Sequence, residues 1–178
     1  MIEVRWHGRG GQGSFTASRL LGEAAALYEG SHAMAFPSFG PERRGAPVLA
    51  FTKISKEKIR DRSEVIRCDY IVVLDETLYN SSFLDELKPG GYIILNTGNP
   101  AKYGRSVRTI DATSIALGIL GKPITNTAML GALIGYSGIV APEAIEESLN
   151  HFFNEPLLGK NKEVVRQSYE LGRKEKAV

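Results

Sequence analysis

The sequence predicts an α/β domain in which helices sandwich a mostly parallel, mixed sheet in three layers. Three observations carry that prediction. Strand-like apolar runs alternate with helical segments along the chain. The run Asp69-Tyr70-Ile71-Val72-Val73-Leu74-Asp75 has a continuous apolar centre bounded by acids, the pattern of a strand buried on both faces. A glycine-rich stretch, Gly8-Arg9-Gly10-Gly11-Gln12-Gly13, stands between the first strand and the first helix, where open α/β sheets hold ligands.

The elements follow in order. Ile2 to His7 reads as the first strand and Gly8 to Gly13 as a turn. Phe15 to Tyr28 reads as a helix with Ser14 as its N-cap, its apolar stripe running through Phe15, Leu20, Leu21, Ala24, Leu27 and Tyr28. His32 to Phe36 is a short strand, Pro37 to Pro47 a loop punctuated by proline and glycine, and Val48 to Ile54 a third strand. After the Asp69–Asp75 strand a helix is expected over 78–87, ended by Lys88-Pro89-Gly90-Gly91. Strands at Tyr92 to Asn96 and Val107 to Ile110 precede a helix from Ala112 to about Leu120. Thr127 to Tyr136 is uncharged and glycine-containing, so it reads as a buried helix. Pro142 to Phe153 opens on Pro and Glu, which suit a helix start, and a charged terminal helix runs from Asn161 to about Lys174.

The 178 residues fit one domain, taken as residues 1–178, large enough to bury a core without disulfide or metal staples. There is one cysteine, Cys68, so the chain alone makes no internal disulfide, no cysteine-only zinc site and no cysteine-ligated cluster. No spacing of His7, His32 or His151 suggests a metal site. A net charge of +2 gives no reason to expect nucleic acid or an anionic membrane as the main partner. No apolar run reaches the ~20 residues of a bilayer span and no signal-peptide core precedes the first strand, so a cytoplasmic location is expected.

Glycines in a strand-to-helix turn let backbone N–H groups approach a ligand, and the helix N-terminus adds partial positive charge, so the turn favours an anion such as phosphate. The letters also fit the dinucleotide pattern, but the second strand ends Met34-Ala35-Phe36-Pro37 without the acid that would bind a ribose, which argues against a stand-alone NAD(P)-binding protein. No Gly-Lys-Ser/Thr follows, which excludes a P-loop. The alternative is that the glycines serve only tight packing.

Arg43 and Arg44 stand in Pro37-Ser38-Phe39-Gly40-Pro41-Glu42-Arg43-Arg44-Gly45-Ala46-Pro47. A frame stiffened by proline and glycine presents them at low entropic cost to a phosphate or to a partner's carboxylates. Around them, Lys53 to Arg67 holds six basic and three acidic residues and reads as a solvated charged stretch. Thr125-Asn126-Thr127 opens the uncharged helix, where Thr125 or Asn126 serves as a cap or as a polar ligand contact. His7 reads as a structural group, Trp6 and Met129 as core, and Asp75 and Glu76 as loop-forming residues at a strand end.

Taken together, Gly8 to Gly13, the Pro-Ser-Phe-Gly-Pro-Glu-Arg-Arg-Gly-Ala-Pro-Val run at 37–48 and Thr125-Asn126-Thr127-Ala128-Met129-Leu130-Gly131 resemble the gamma subunit of the 2-oxoacid:ferredoxin oxidoreductases. The Arg-Arg-Gly-Ala-Pro form looks most like the pyruvate branch, or the gamma chain shared by pyruvate and 2-oxoisovalerate enzymes. The resemblance implies a complex that decarboxylates a 2-oxoacid on thiamine diphosphate, passes electrons through [4Fe–4S] clusters to ferredoxin and transfers the acyl group to coenzyme A. Thiamine diphosphate and the clusters would belong to partner chains, and this chain would help bind coenzyme A and assemble the complex. Carried over, the cofactor's phosphates meet Gly8, Arg9, Gly10, Gly11 and Gln12, with Arg43 or Arg44 supplying charge, Asn126 a polar contact, and Lys160 or Lys162 a C-terminal base. No catalytic residue and no metal ligand is implied here. Docking faces left open in the isolated chain would allow pairing with a second copy.

Overall fold

A computed structural model describes residues 1–38 and 45–176, with the side chain of Lys176 excepted. Arg43 and Arg44 lie outside the described residues. Six strands form one sheet: β1 (Ile2–Arg9), β2 (His32–Pro37), β3 (Pro47–Ser55), β4 (Cys68–Val73), β5 (Leu87–Asn96) and β6 (Val107–Ile110). Their order is β2-β3-β1-β4-β5-β6, with β1, β4, β5 and β6 mutually parallel and β3 antiparallel to both its neighbours. The α/β class and the mixed, mainly parallel sheet agree with expectation. In β4, Ile71, Val72 and Val73 are fully buried, because this strand is covered on both faces.

Five α-helices are α1 (Ser14–Leu27), α2 (Ala112–Leu120), α3 (Asn126–Ser137), α4 (Pro142–Phe152) and α5 (Leu157–Lys176). All five contribute to one apolar cluster with Val4, Trp6, Ala50, Val72 and Ile94 of one sheet face. Helix α3 is buried from Asn126 to Tyr136, as its uncharged sequence requires, and packs most extensively on α5. The opposite sheet face, with Phe51, Ile71, Val73, Ile93 and Leu95, is covered by Val65, Leu78, Tyr79, Phe83 and Tyr103.

That second cover differs from expectation. No α-helix forms over 78–87; two short 3₁₀ turns, Glu76–Leu78 and Ser81–Glu86, stand there. The Asp75 carboxylate accepts from Thr77 N and the Asn80 side chain accepts from Ser82 N, local bonds that compete with helical ones. Lys88 to Gly91 belongs to β5, at an irregularity opposite Cys68 and Tyr70. Helix α1 is entered through Gly13 in a left-handed conformation (φ 80°) with no side-chain cap, and Ser14 is inside the helix. Phe15, Leu27 and Tyr28, placed on the apolar stripe from sequence, are exposed.

The charged stretch 53–67 is not wholly solvated. Lys53 lies in β3 and is fully buried, its Nζ donating to Asp61 Oδ2 at 2.7 Å with Glu3 at 3.7 Å. On the same face Arg5 pairs with Glu86 and donates from Nε to His7 Nε2 at 3.0 Å, while Phe83 packs on the His7 ring. Burial, and then the Arg5 charge, pushes the His7 pKa down to about 3. A neutral buried histidine whose folded pKa lies below its unfolded value stabilises the fold above pH ~6.5, and that contribution is lost as pH falls toward 3. Denaturant titrations of the chain are expected to lose about 2 kcal/mol between pH 7 and 5 from this group. His7→Gln, which keeps an acceptor for Arg5, should flatten that slope; an unchanged slope would assign it to other groups.

Candidate functional site

The C-terminal ends of β1, β4, β5 and β6 lie along one edge of the sheet, and β2 ends and β3 begins there too. The glycine stretch sits on this edge, but less of it is turn than the sequence suggests. Gly8 and Arg9 continue β1 opposite Val48 and Pro47. The chain reverses at Gly11 and Gly13, both with positive φ, which only glycine adopts readily.

Segments far apart in sequence meet at this turn. Gly10 N donates to Ala46 O at 2.8 Å and Gly45 N donates to Gly10 O at 3.1 Å, so the arginine-bearing segment rejoins the sheet against the glycines. Arg9 Nη1 donates to Gly45 O at 3.0 Å. Asn126 Nδ2 reaches toward Gly13 O at 3.5 Å, and a Cβ on Gly13 would lie 2.5 Å from that nitrogen. Thr127 Oγ1 donates to Asn161 Oδ1 at 2.8 Å, which fixes the first turns of α5 beside the start of α3. Lys160 and Lys162 flank Asn161, and neither forms an ion pair among the described residues.

The donors divide into spent and free. Arg9 N donates to the Gln12 side chain and Gln12 N to Arg9 O, and Gly10 N is taken by Ala46. Gly11 N and Gly13 N make no hydrogen bond among the described residues. The first helical N–H groups of α1 have no intrahelical acceptor, and no acid stands in its first turn to compete with an anion. The unclaimed N–H groups of this turn are therefore those of Gly11, Gly13 and the start of α1. Asn126 is buried, and its Oδ1 accepts from Thr127 N at 2.9 Å, so both its amide atoms are turned onto the protein.

The Arg9 guanidinium is paired rather than free. Its Nε donates to Asp75 Oδ2 at 3.0 Å and its Nη2 to Thr77 Oγ1 at 2.7 Å. Gln12 Nε2 donates to the same Asp75 oxygen at 3.2 Å. Burial opposes ionisation of Asp75, but the bonds from Thr77, Gln12 and Arg9 outweigh it and hold the carboxyl below its ordinary range. Beside the turn lies a cavity of about 350 Å³ lined by Gln12, the carboxylates Asp75, Glu76 and Asp111, and Thr125. Its carboxylates disfavour a phosphate inside it. Sequence reasoning left out Asn161 and Gly45 and gave Asp75 only a loop role. The bonds that tie Asp75 to Arg9 and Gln12, and Asn161 to Thr127, span more than 30 positions, so no local spacing reveals them.

Between β1 and β2 stands the antiparallel β3. The strand end that supplies the ribose acid in a dinucleotide fold is thus removed from the glycine turn, in agreement with the missing acid. Cys68 is buried and pushed up to about 11 by that burial, which makes it an inert thiol. Among the described residues no helix is long and apolar enough to cross a membrane, and no group of three or more His, Cys, Asp or Glu side chains could hold a metal.

The chain is thus an open α/β sheet with a glycine turn at its strand ends and polar segments from distant parts of the sequence gathered on that turn. Its family follows from comparison. The family described as "Pyruvate ferredoxin/flavodoxin oxidoreductase" matches residues 3–171, and the chain belongs to it. The chain is 47% identical to pyruvate synthase subunit PorC of Methanothermobacter marburgensis over 96% of its length and 97% of that protein. It is 46% identical to the common gamma subunit of the pyruvate/ketoisovalerate oxidoreductases of Pyrococcus furiosus, over 96% of each. The crystal structure of pyruvate oxidoreductase subunit PORC from Thermotoga maritima superposes with a TM-score of 0.83 at 39% identity, covering 95% of both chains. A 2-oxoglutarate:ferredoxin oxidoreductase from Magnetococcus marinus, solved with coenzyme A and succinyl-CoA bound, shares the fold at TM-score 0.79 and 21% identity, over 97% of this chain and 31% of that one. The resemblance carried by the three sequence motifs is borne out.

Proposed function

We propose that this chain is the gamma subunit of a pyruvate:ferredoxin oxidoreductase complex and that it contributes part of the coenzyme A site. Full-length identity to chains named as such subunits supports the first half. The observation that carries the second is the convergence of the three signature segments on one turn. Gly10 bonds Gly45 and Ala46, and Asn126 lies against Gly13. Separate segments gathered around unclaimed N–H groups at a helix start suit a phosphate-bearing ligand.

Coenzyme A fits that donor set. Its phosphates would meet Gly11, Gly13 and the first turn of α1, with charge from Arg43, Arg44 and the lysines at 160 and 162. Coenzyme A supplies the thiol that accepts the acyl group, so no nucleophile is needed from this chain. Thiamine diphosphate and iron–sulfur clusters belong to partner chains in this reading. Its lone cysteine is buried and inert, in keeping with that division. The remaining duty of the chain is to hold the coenzyme and to join the partners together in the cytoplasm.

Affinity purification of the native complex through a tag on this chain tests the subunit assignment. The expected product is brown, contains cluster-bearing and thiamine diphosphate-binding chains, and oxidises pyruvate only when coenzyme A is present. Recovery of a colourless protein with no partner chains would contradict it.

A further inference from the structure

We infer that Asp75 is the positioning residue of the glycine turn, setting Arg9 and Gln12 and, through Arg9, the point where the arginine-bearing segment rejoins the sheet. This inference rests on the coenzyme A reading above. The carboxylate is shared between two jobs. Oδ1 accepts from Thr77 N at 3.0 Å and Thr77 Oγ1 at 2.6 Å, which locks its rotamer at the end of β4. Oδ2 faces the turn and accepts from Arg9 Nε at 3.0 Å and Gln12 Nε2 at 3.2 Å.

Each of those partners fixes a different part of the site. Gln12 Oε1 accepts from Arg9 N at 2.7 Å, closing the turn from inside. Arg9 Nη1 donates to Gly45 O, and Gly45 is the first described residue after Arg44. Asp75 thus orients a chain of contacts that runs from β4 through the Arg9 guanidinium to the base of the arginine-bearing segment. Thr77 holds the other end of the same guanidinium through Nη2. A guanidinium held at three corners has one orientation available. Fixing a charged group before the ligand arrives lowers the ordering cost at binding.

The effect belongs in coenzyme A affinity and not in turnover, because Asp75 touches Arg9 and Gln12 rather than the reacting atoms. The test is steady-state kinetics of the assembled complex carrying Asp75→Ala, Arg9→Ala or both. Asp75→Ala is expected to raise the coenzyme A KM about tenfold, with kcat and pyruvate KM within about twofold of the parent. The double variant should raise the KM by clearly less than the product of the two single effects, since Asp75 acts in large part through Arg9. Asp75→Asn keeps an acceptor for Thr77 but loses the charge facing Arg9, and should fall between Asp75→Ala and the parent.

Multiplying effects in the double variant would overturn the inference. An unchanged coenzyme A KM in Asp75→Ala, with a raised one in Arg9→Ala, would overturn it and leave the proposed function standing. If Asp75→Ala fails to assemble, Asp75→Asn decides: a raised coenzyme A KM supports the inference and an unchanged one overturns it. Failure of both to assemble would make Asp75 a structural prop and overturn it as well. The coenzyme A reading itself is judged separately, on Arg43 and Arg44.

Discussion

Gly131→Ala is expected to cost about 3 kcal/mol of stability, at the upper end of what an overpacked core loses. Gly131 closes the signature Thr125–Gly131, and its place in α3 explains why glycine stands there. A Cβ would lie 2.5 Å from Val165 O and 3.0 Å from Ser168 Cβ, both on α5. The nearest atom is backbone, so no side chain can swing away. Relief requires the two helices to separate, yet Gly135 and Gly172 hold the same crossing close, with a Cβ on Gly172 meeting Ala132 O at 2.9 Å. Separation would loosen the packing of Met129, Leu130, Leu133, Val164 and Val165, all fully buried. It would also pull the start of α5, and with it Asn161, from Thr127. Gly118→Ala is the control, since its Cβ would meet nothing within 4 Å in α2. That change should be neutral or stabilising by about 0.5–1 kcal/mol. Denaturant midpoints of the two variants measure the difference, and equal midpoints would contradict the packing account.

Much of the fold could be read from apolar pattern alone. The double burial of Ile71, Val72 and Val73 and the all-round burial of α3 follow from uninterrupted apolar sequence, and both are found. The helix expected over 78–87 does not form because Asp75 and Asn80 bond nearby backbone N–H groups, a choice that apolar spacing does not record. The start of α1 differs from the expected Ser14 cap for a related reason. Gly13 accepts a left-handed conformation against Asn126, and a serine placed one residue later resembles a cap without acting as one. In the site, the glycines, Arg9, Gln12 and Asn126 were visible because they form compact local motifs. Their meeting with Gly45, Asp75 and Asn161 was not, because it arises from strand order: β3 returns beside β1 and β4 ends beside it. Lys53 shows the same limit from the other side, a lysine in a charged stretch that the sheet buries against Asp61 and Glu3.

The central claim is that the segments converging on the glycine turn form a coenzyme A phosphate site, and Arg43→Ala together with Arg44→Ala removes its main source of positive side-chain charge. A charge-assisted contact to phosphate contributes about 1.5–3 kcal/mol, so losing these groups should raise the coenzyme A requirement by tenfold or more. Pyruvate meets thiamine diphosphate on partner chains in this reading, and its KM should stay within about twofold of the parent. The turn itself persists in the variant, since Gly10 is bonded by Gly45 and Ala46 through backbone atoms alone. The decisive measurement is therefore the pair of KM values, for coenzyme A and for pyruvate, in the purified complex carrying both substitutions. A large rise for coenzyme A alone is the predicted result. An unchanged coenzyme A KM, or an equal rise for both substrates, would contradict the account.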